Sequence, residues 1–153
     1  MRKVKLNYTI LAAFLGIIVL FSLYAMEARA EKDQREIVVL DEESRAFVIH
    51  EMQQFVSGLQ QAMTALSQDD MQGVSAALRP LGMQGMSNAP PELMSTVPMG
   101  FRQIGMPIHM AFDNLAVAAD KGATSKEILS GLGEAMNRCV ACHAAYRIEG
   151  EQP

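Results

Sequence analysis

The chain is expected to be all-α, an antiparallel four-helix bundle. Three observations predict this. Apolar residues recur at three- and four-residue spacing in four successive segments, as on amphipathic helices. β patterning is nearly missing: Ile37-Val38-Val39-Leu40 is the only compact β-branched run. Four helices and one long connection also fit the length that remains beyond the N-terminal segment, which suits a single domain without repeats.

The first helix is predicted from about Glu36 or Asp41 to Leu66. Val48, Met52, Phe55, Val56, Leu59, Met63 and Leu66 make its apolar stripe. Ser67-Gln68-Asp69-Asp70 reads as a second helix start, with more than one candidate cap, leading through Val74, Ala77 and Leu78 to Leu81. Pro80 and Gly82 close it. Residues 82–98 carry Gly82, Gly85, Pro90, Pro91 and Pro98, which predicts a long irregular connection.

A third helix is predicted over Met99 to Asp120, with Phe101, Ile104, Ile108, Phe112 and Leu115 inward and Gly122 at its stop. Pro107 should kink it or shift its start. Thr124-Ser125-Lys126-Glu127 is a capping box. It opens a fourth helix with Ile128, Leu132, Ala135, Cys139, Cys142 and Tyr146 on one face.

The N-terminus predicts export. Arg2, Lys3 and Lys5 precede an apolar run from Ile10 to Met26, and Ala28-Arg29-Ala30 reads as a cleavage site before Glu31. Residues 1–30 are therefore expected to be a signal peptide, with an uncleaved membrane anchor as the alternative, and residues 31–153 the folded domain. In either case the basic flank stays inside and residue 31 onward crosses the membrane, toward a periplasmic location. The full chain holds 13 Lys+Arg and 17 Asp+Glu. Without Arg2, Lys3, Lys5, Arg29 and Glu27, 9 basic and 16 acidic residues remain, a net of −7. Nucleic acid is excluded as a partner, because phosphate binding needs a basic face. An acidic protein meets partners through complementary basic patches.

Cys139-Val140-Ala141-Cys142-His143 carries the chemistry and contains the only two cysteines. C-x-x-C-H is the pattern of covalent c-type haem attachment. Two thiols one helical turn apart each form a thioether to a haem vinyl group, and the adjacent imidazole can coordinate the iron. On a helix the three side chains are i, i+3 and i+4 neighbours on one side. A thioredoxin-like motif would need a βαβ setting, and a structural zinc site a fourth ligand. With both thiols assigned to one haem c, no disulfide framework is left, and the cofactor is expected to fill part of the core. Without it the bundle should be thinly packed, given few aromatic residues and no tryptophan.

In this motif, and in the continuation His143-Ala144-Ala145-Tyr146-Arg147 on the last of four predicted helices, the chain resembles the cytochrome c′ and cytochrome c-556 family. The likeness spans residues 31–153 in architecture and is specific around 138–147. It implies a periplasmic four-helix bundle with haem c, His143 as proximal iron ligand and Arg147 near the exposed face of that histidine. It also implies that two copies of the chain can pair as a homodimer. The Met-rich connection and Pro107 have no counterpart in the family pattern.

Members of that family divide by what faces the other side of the iron: a methionine suits electron transfer, and an apolar side chain leaves a five-coordinate haem that binds small gases such as NO and CO. In an up-down-up-down bundle the end bearing His143 lies beside the early turns of the first helix. Met52 is therefore the candidate second ligand. Met63 lies eleven residues further, roughly 16 Å along the axis, which is too far. His50 should project away from Met52, toward solvent. The competing reading of Met52 is a core filler, since the chain has 12 methionines.

Arg45 falls on the same side as Met52 and could pair with a haem propionate, as could Arg138 and Arg147. His109, beside Ile108 and Phe112, is expected to be a packed or surface histidine. Met83, Met86, Met94, Met99, Met106 and Met110 could bind Cu(I) through soft thioethers, but irregular spacing favours flexible packing. No Ser-His-Asp, paired-carboxylate or phosphate-loop constellation stands out, so an electron carrier is expected rather than an enzyme. The alternatives are a gas-binding haem protein and a membrane-tethered haem subunit of a larger redox complex.

Overall fold

A computed structural model describes residues 12–21 and 33–151. The chain divides into two units, Met1–Gln34 and Arg35–Pro153. In the first, residues 12–21 are helical and Phe14, Ile17, Leu20 and Phe21 are exposed. The expected basic flank and the cleavage site at Ala28-Arg29-Ala30 lie outside the described residues. Among the described residues no helix is long and apolar enough to cross a membrane.

The second unit is mostly helical. Its order is β1 (Glu36–Leu40), α1 (Glu42–Leu66), α2 (Met71–Leu78), 3-10 turns at Arg79–Leu81 and Gly85–Asn88, the single-turn α3 (Leu93–Thr96), α4 (Met99–Asp120), α5 (Ser125–Ala145) and β2 (Tyr146–Gly150). α2 packs on both α1 and α4, and α4 packs on α5.

The expected first helix starts at Glu42, not Glu36, because Asp41 caps it: its carboxylate accepts the Ser44 N–H at 2.8 Å. That bond holds the Asp41 carboxyl below its ordinary range. Residues 36–40 form a strand instead, paired in parallel with β2 in the register Ile37↔Arg147 and Val38↔Ile148. Val38 and Leu40 face inward and are buried, whereas Ile37 and Val39 are exposed, the alternation a half-buried strand requires.

α2 is capped by Asp70 alone, through the Gly73 N–H at 2.9 Å. Pro80 then falls in a 3-10 turn ending at Leu81. The connection is not wholly irregular, since a 3-10 turn and α3 interrupt it. α4 spans Met99 to Asp120 with Pro107 inside it. It starts at Met99 as expected, so the proline's missing N–H does not displace the start. Gly122 follows it at φ 82°, the left-handed backbone that favours glycine at such a stop.

α5 opens with the expected box: Glu127 Oε2 accepts the Thr124 N–H at 2.8 Å, and the Thr124 hydroxyl accepts the Glu127 N–H at 3.3 Å. It ends at Ala145, one residue short of Tyr146. The Tyr146 ring instead meets Phe101 edge-on at 5.5 Å, and its hydroxyl lies over Gly100, where a Cβ would collide with it.

Among the described residues, two apolar clusters result. The larger joins α1, α2, α4 and α5 through Leu66, Val74, Leu78, Phe112, Ala116, Ile128 and Leu132. The smaller sits under the strands, with Val38, Leu40, Val48, Leu93 and Val97.

Candidate functional site

The β1–β2 pair fixes the geometry of the site. It ties the chain just before α1 to the chain just after α5, so the opening turns of α1 lie beside the last turns of α5. Arg35 strengthens the tie by donating from Nη1 to the His143 carbonyl at 3.3 Å, and the Glu151 N–H donates to the Leu40 carbonyl at 3.1 Å.

Between α1, α4 and α5 lies a cavity of about 220 Å³. α5 contributes Met136, Cys139, Cys142 and His143; α1 contributes Met52 with Val48, Glu51, Phe55, Val56 and Leu59; α4 contributes Phe101, Gly105, Ile108 and His109. The lining is mainly apolar. Four sequence candidates, Met52, Cys139, Cys142 and His143, thus share one cavity. Both thiols are free and half-buried. Burial pushes each thiol upward, and for Cys142 the neighbouring Cys139 adds to the shift, so both are protonated near neutrality. The His143 residue is exposed, on the turn that leads into β2.

Arg45 and Arg147 do not line the cavity. Arg45 is exposed, and its Cδ lies 3.5 Å from where a Cβ on Gly150 would stand. Arg147, in β2, pairs with Glu149. Arg138 is exposed on α5. His50 is exposed as expected, with Nε2 3.5 Å from Gln54 Nε2. Met63 lies outside the cavity, on an open apolar groove with Val56, Leu59 and Met136.

His109 is the unforeseen member. Of its two expected placements it takes the buried one, at 4% exposed on the cavity wall. Its Nδ1 lies 2.9 Å from the Leu81 carbonyl, and because a carbonyl only accepts, Nδ1 carries the proton. Nε2 faces Glu51 Oε1 at 3.5 Å, and the Phe55 ring lies 5.3 Å from the imidazole. At that separation no hydrogen bond forms between them, and Glu51 Oε1 has no hydrogen-bond partner. Burial raises the Glu51 carboxyl above its ordinary range, and the charge of His109 opposes the rise. A signal for the pair exists in the sequence. Glu51 is three residues after Val48 and four before Phe55, so it interrupts the stripe, and His109 sits three residues before inward-facing Phe112.

Compared with known proteins, the chain matches no family model, no curated protein and no solved structure.

Proposed function

We propose that this is a periplasmic mono-haem c-type cytochrome that carries electrons, a four-helix bundle made of α1, α2, α4 and α5. The observation that carries the reading is the convergence of Cys139, Cys142 and His143, a C-x-x-C-H run, with Met52 on one mainly apolar cavity. The residues present fit a haem c. The two thiols stand one helical turn apart on one helix, the imidazole follows on the next residue, and a thioether stands on another wall of the same cavity.

In this reading Cys139 and Cys142 would hold the haem through thioether bonds, each S–H having been added across one vinyl group. His143 and Met52 would be the residues that hold the iron. The bound haem supplies an Fe(III)/Fe(II) couple. A thioether donor at Met52 favours ferrous iron and raises the potential. Phe55 and Ile108, buried on the cavity wall, would exclude water from the redox centre and keep its reorganisation small. The net of −7 beyond residue 30 suits redox partners with basic patches. Residues 1–30 would deliver the domain to the periplasm.

Optical spectra test this. The protein purified from a periplasmic host with haem attachment should carry haem that survives acid–acetone extraction, and lose it in Cys139→Ser/Cys142→Ser. Ferric and ferrous wild type should be low-spin and resist carbon monoxide, while Met52→Ala turns high-spin and binds it. A high-spin wild type that takes up carbon monoxide readily moves the function to gas binding. Absence of covalent haem overturns the reading altogether.

A further inference from the structure

The Met-rich connection has no part in the function proposed above, yet it closes a second site. A cavity of about 50 Å³ lies between this connection and α4, room for one ion or one water. Met86 reaches it from the 3-10 turn, Met94 from α3, and Met106 and His109 from α4, where they are i and i+3 neighbours on one face. Glu51 and Arg102 complete the wall that matters here. The remaining three methionines of the region, Met83, Met99 and Met110, are exposed.

Packing methionines fill gaps, whereas these three are half-buried around a space they leave open. Two further observations point to a cation. The Leu81 carbonyl holds the Nδ1 proton of His109, the outer contact that orients a metal-binding histidine and leaves Nε2 with its lone pair free. Beside Nε2, the buried Glu51 Oε1 lacks a hydrogen-bond partner and supplies negative charge. The Arg102 guanidinium opposes a cation, but its Nη1 is engaged with the Met94 carbonyl at 2.8 Å. The donor set selects the metal. Thioethers and one imidazole are soft ligands that suit Cu(I) and disfavour magnesium, calcium or manganese. Among the described residues no three His, Cys, Asp or Glu side chains converge on a metal position, so a harder site does not compete.

We propose that Met86, Met94, Met106 and His109 bind one Cu(I) ion at this cavity. The site shares the His109–Glu51 wall with the larger cavity but uses neither thiol, so it stands whether or not haem is attached.

The test is anaerobic titration of the purified full-length protein with Cu(I) against a chromogenic Cu(I) chelator. Thiols are alkylated first, because Cys139 and Cys142 would themselves take copper if they carried no haem. One equivalent should be withdrawn from the chelator, and X-ray absorption should report sulfur and nitrogen neighbours. Met94→Leu and Met106→Leu, which keep the volume, should each weaken binding roughly 10- to 100-fold, while Met110→Leu leaves it unchanged. Circular dichroism checks that the variants fold. The proposal is overturned if the chelator keeps all the copper, or if folded Met94→Leu/Met106→Leu binds as wild type does. Haem spectra on the same samples judge the cytochrome reading separately.

Discussion

The two halves of α5 are built by the same pattern and packed differently. In the first half Ile128, Leu132 and Ala135 are buried among Leu66, Val74, Leu78 and Phe112, a core with almost no exposed apolar atom. In the second half the stripe continues through Cys139 and Cys142, but both remain half-buried, Met136 is 41% exposed, and the helix buries none of its residues beyond Ala135. Protein–protein packing therefore closes one end of the unit, and at the other the helices stand around a cavity whose wall holds thiols, a thioether and a buried Glu–His pair. Stability and chemistry are separated along one helix.

Substitutions can break that separation, and the largest effect belongs to the closed half. Leu132→Ala removes a side chain at 3% exposure and should cost about 2–5 kcal/mol in denaturant unfolding, because the surrounding core cannot collapse onto the space. A cost below about 1 kcal/mol would mean that the first half is no better packed than the second.

A smaller effect, and one that depends on pH, is expected at the cavity end. The Glu51 carboxyl is raised in the folded protein, first by burial, with His109 opposing. Between the ordinary carboxyl range and this raised value the unfolded chain binds fewer protons than the folded one. Stability therefore declines as pH rises through that window, and the loss persists above it. Glu51→Gln keeps the shape and removes the charge, so its stability should lack this decline and exceed wild type at neutral pH. Urea unfolding from pH 4 to 8 measures it. Parallel curves for the two proteins would show that the carboxylate is solvated, and the contrast between the two ends would weaken.

How much of this was legible in the sequence follows from the range of the interactions involved. α4 and the Thr124–Glu127 box were readable because periodicity, caps and stops act within a few residues. The β1–β2 pair was not. Ile37-Val38-Val39-Leu40 is too short to tell a strand from a helix start, and its partner lies at the opposite end of the unit. Tyr146 falls four residues after Cys142 and so read as helical; its contact with Phe101, on another helix, goes with the strand instead. The spacing of the C-x-x-C-H motif placed three cavity residues on one helix, and helix length arguments brought Met52 to them. Glu51 and His109 escaped because each alone is an ordinary polar residue, and only packing of α1 on α4 makes them a pair.

The smallest effect is expected at Val140, inside the motif itself. It lies between the two cysteines yet is 69% exposed, on the side of α5 away from the cavity. Val140→Ala removes little buried area and exchanges a β-branched residue for the best helix former. Stability should change by no more than about 0.5 kcal/mol, in the stabilising direction. Under the proposed function its optical spectrum and haem content should also match wild type, since only positions 139, 142 and 143 of the motif face the cofactor. A large loss of stability in this variant would show that the second half of α5 is packed against something at its outer face. The contrast between the two halves would then be one of partners, not of packing.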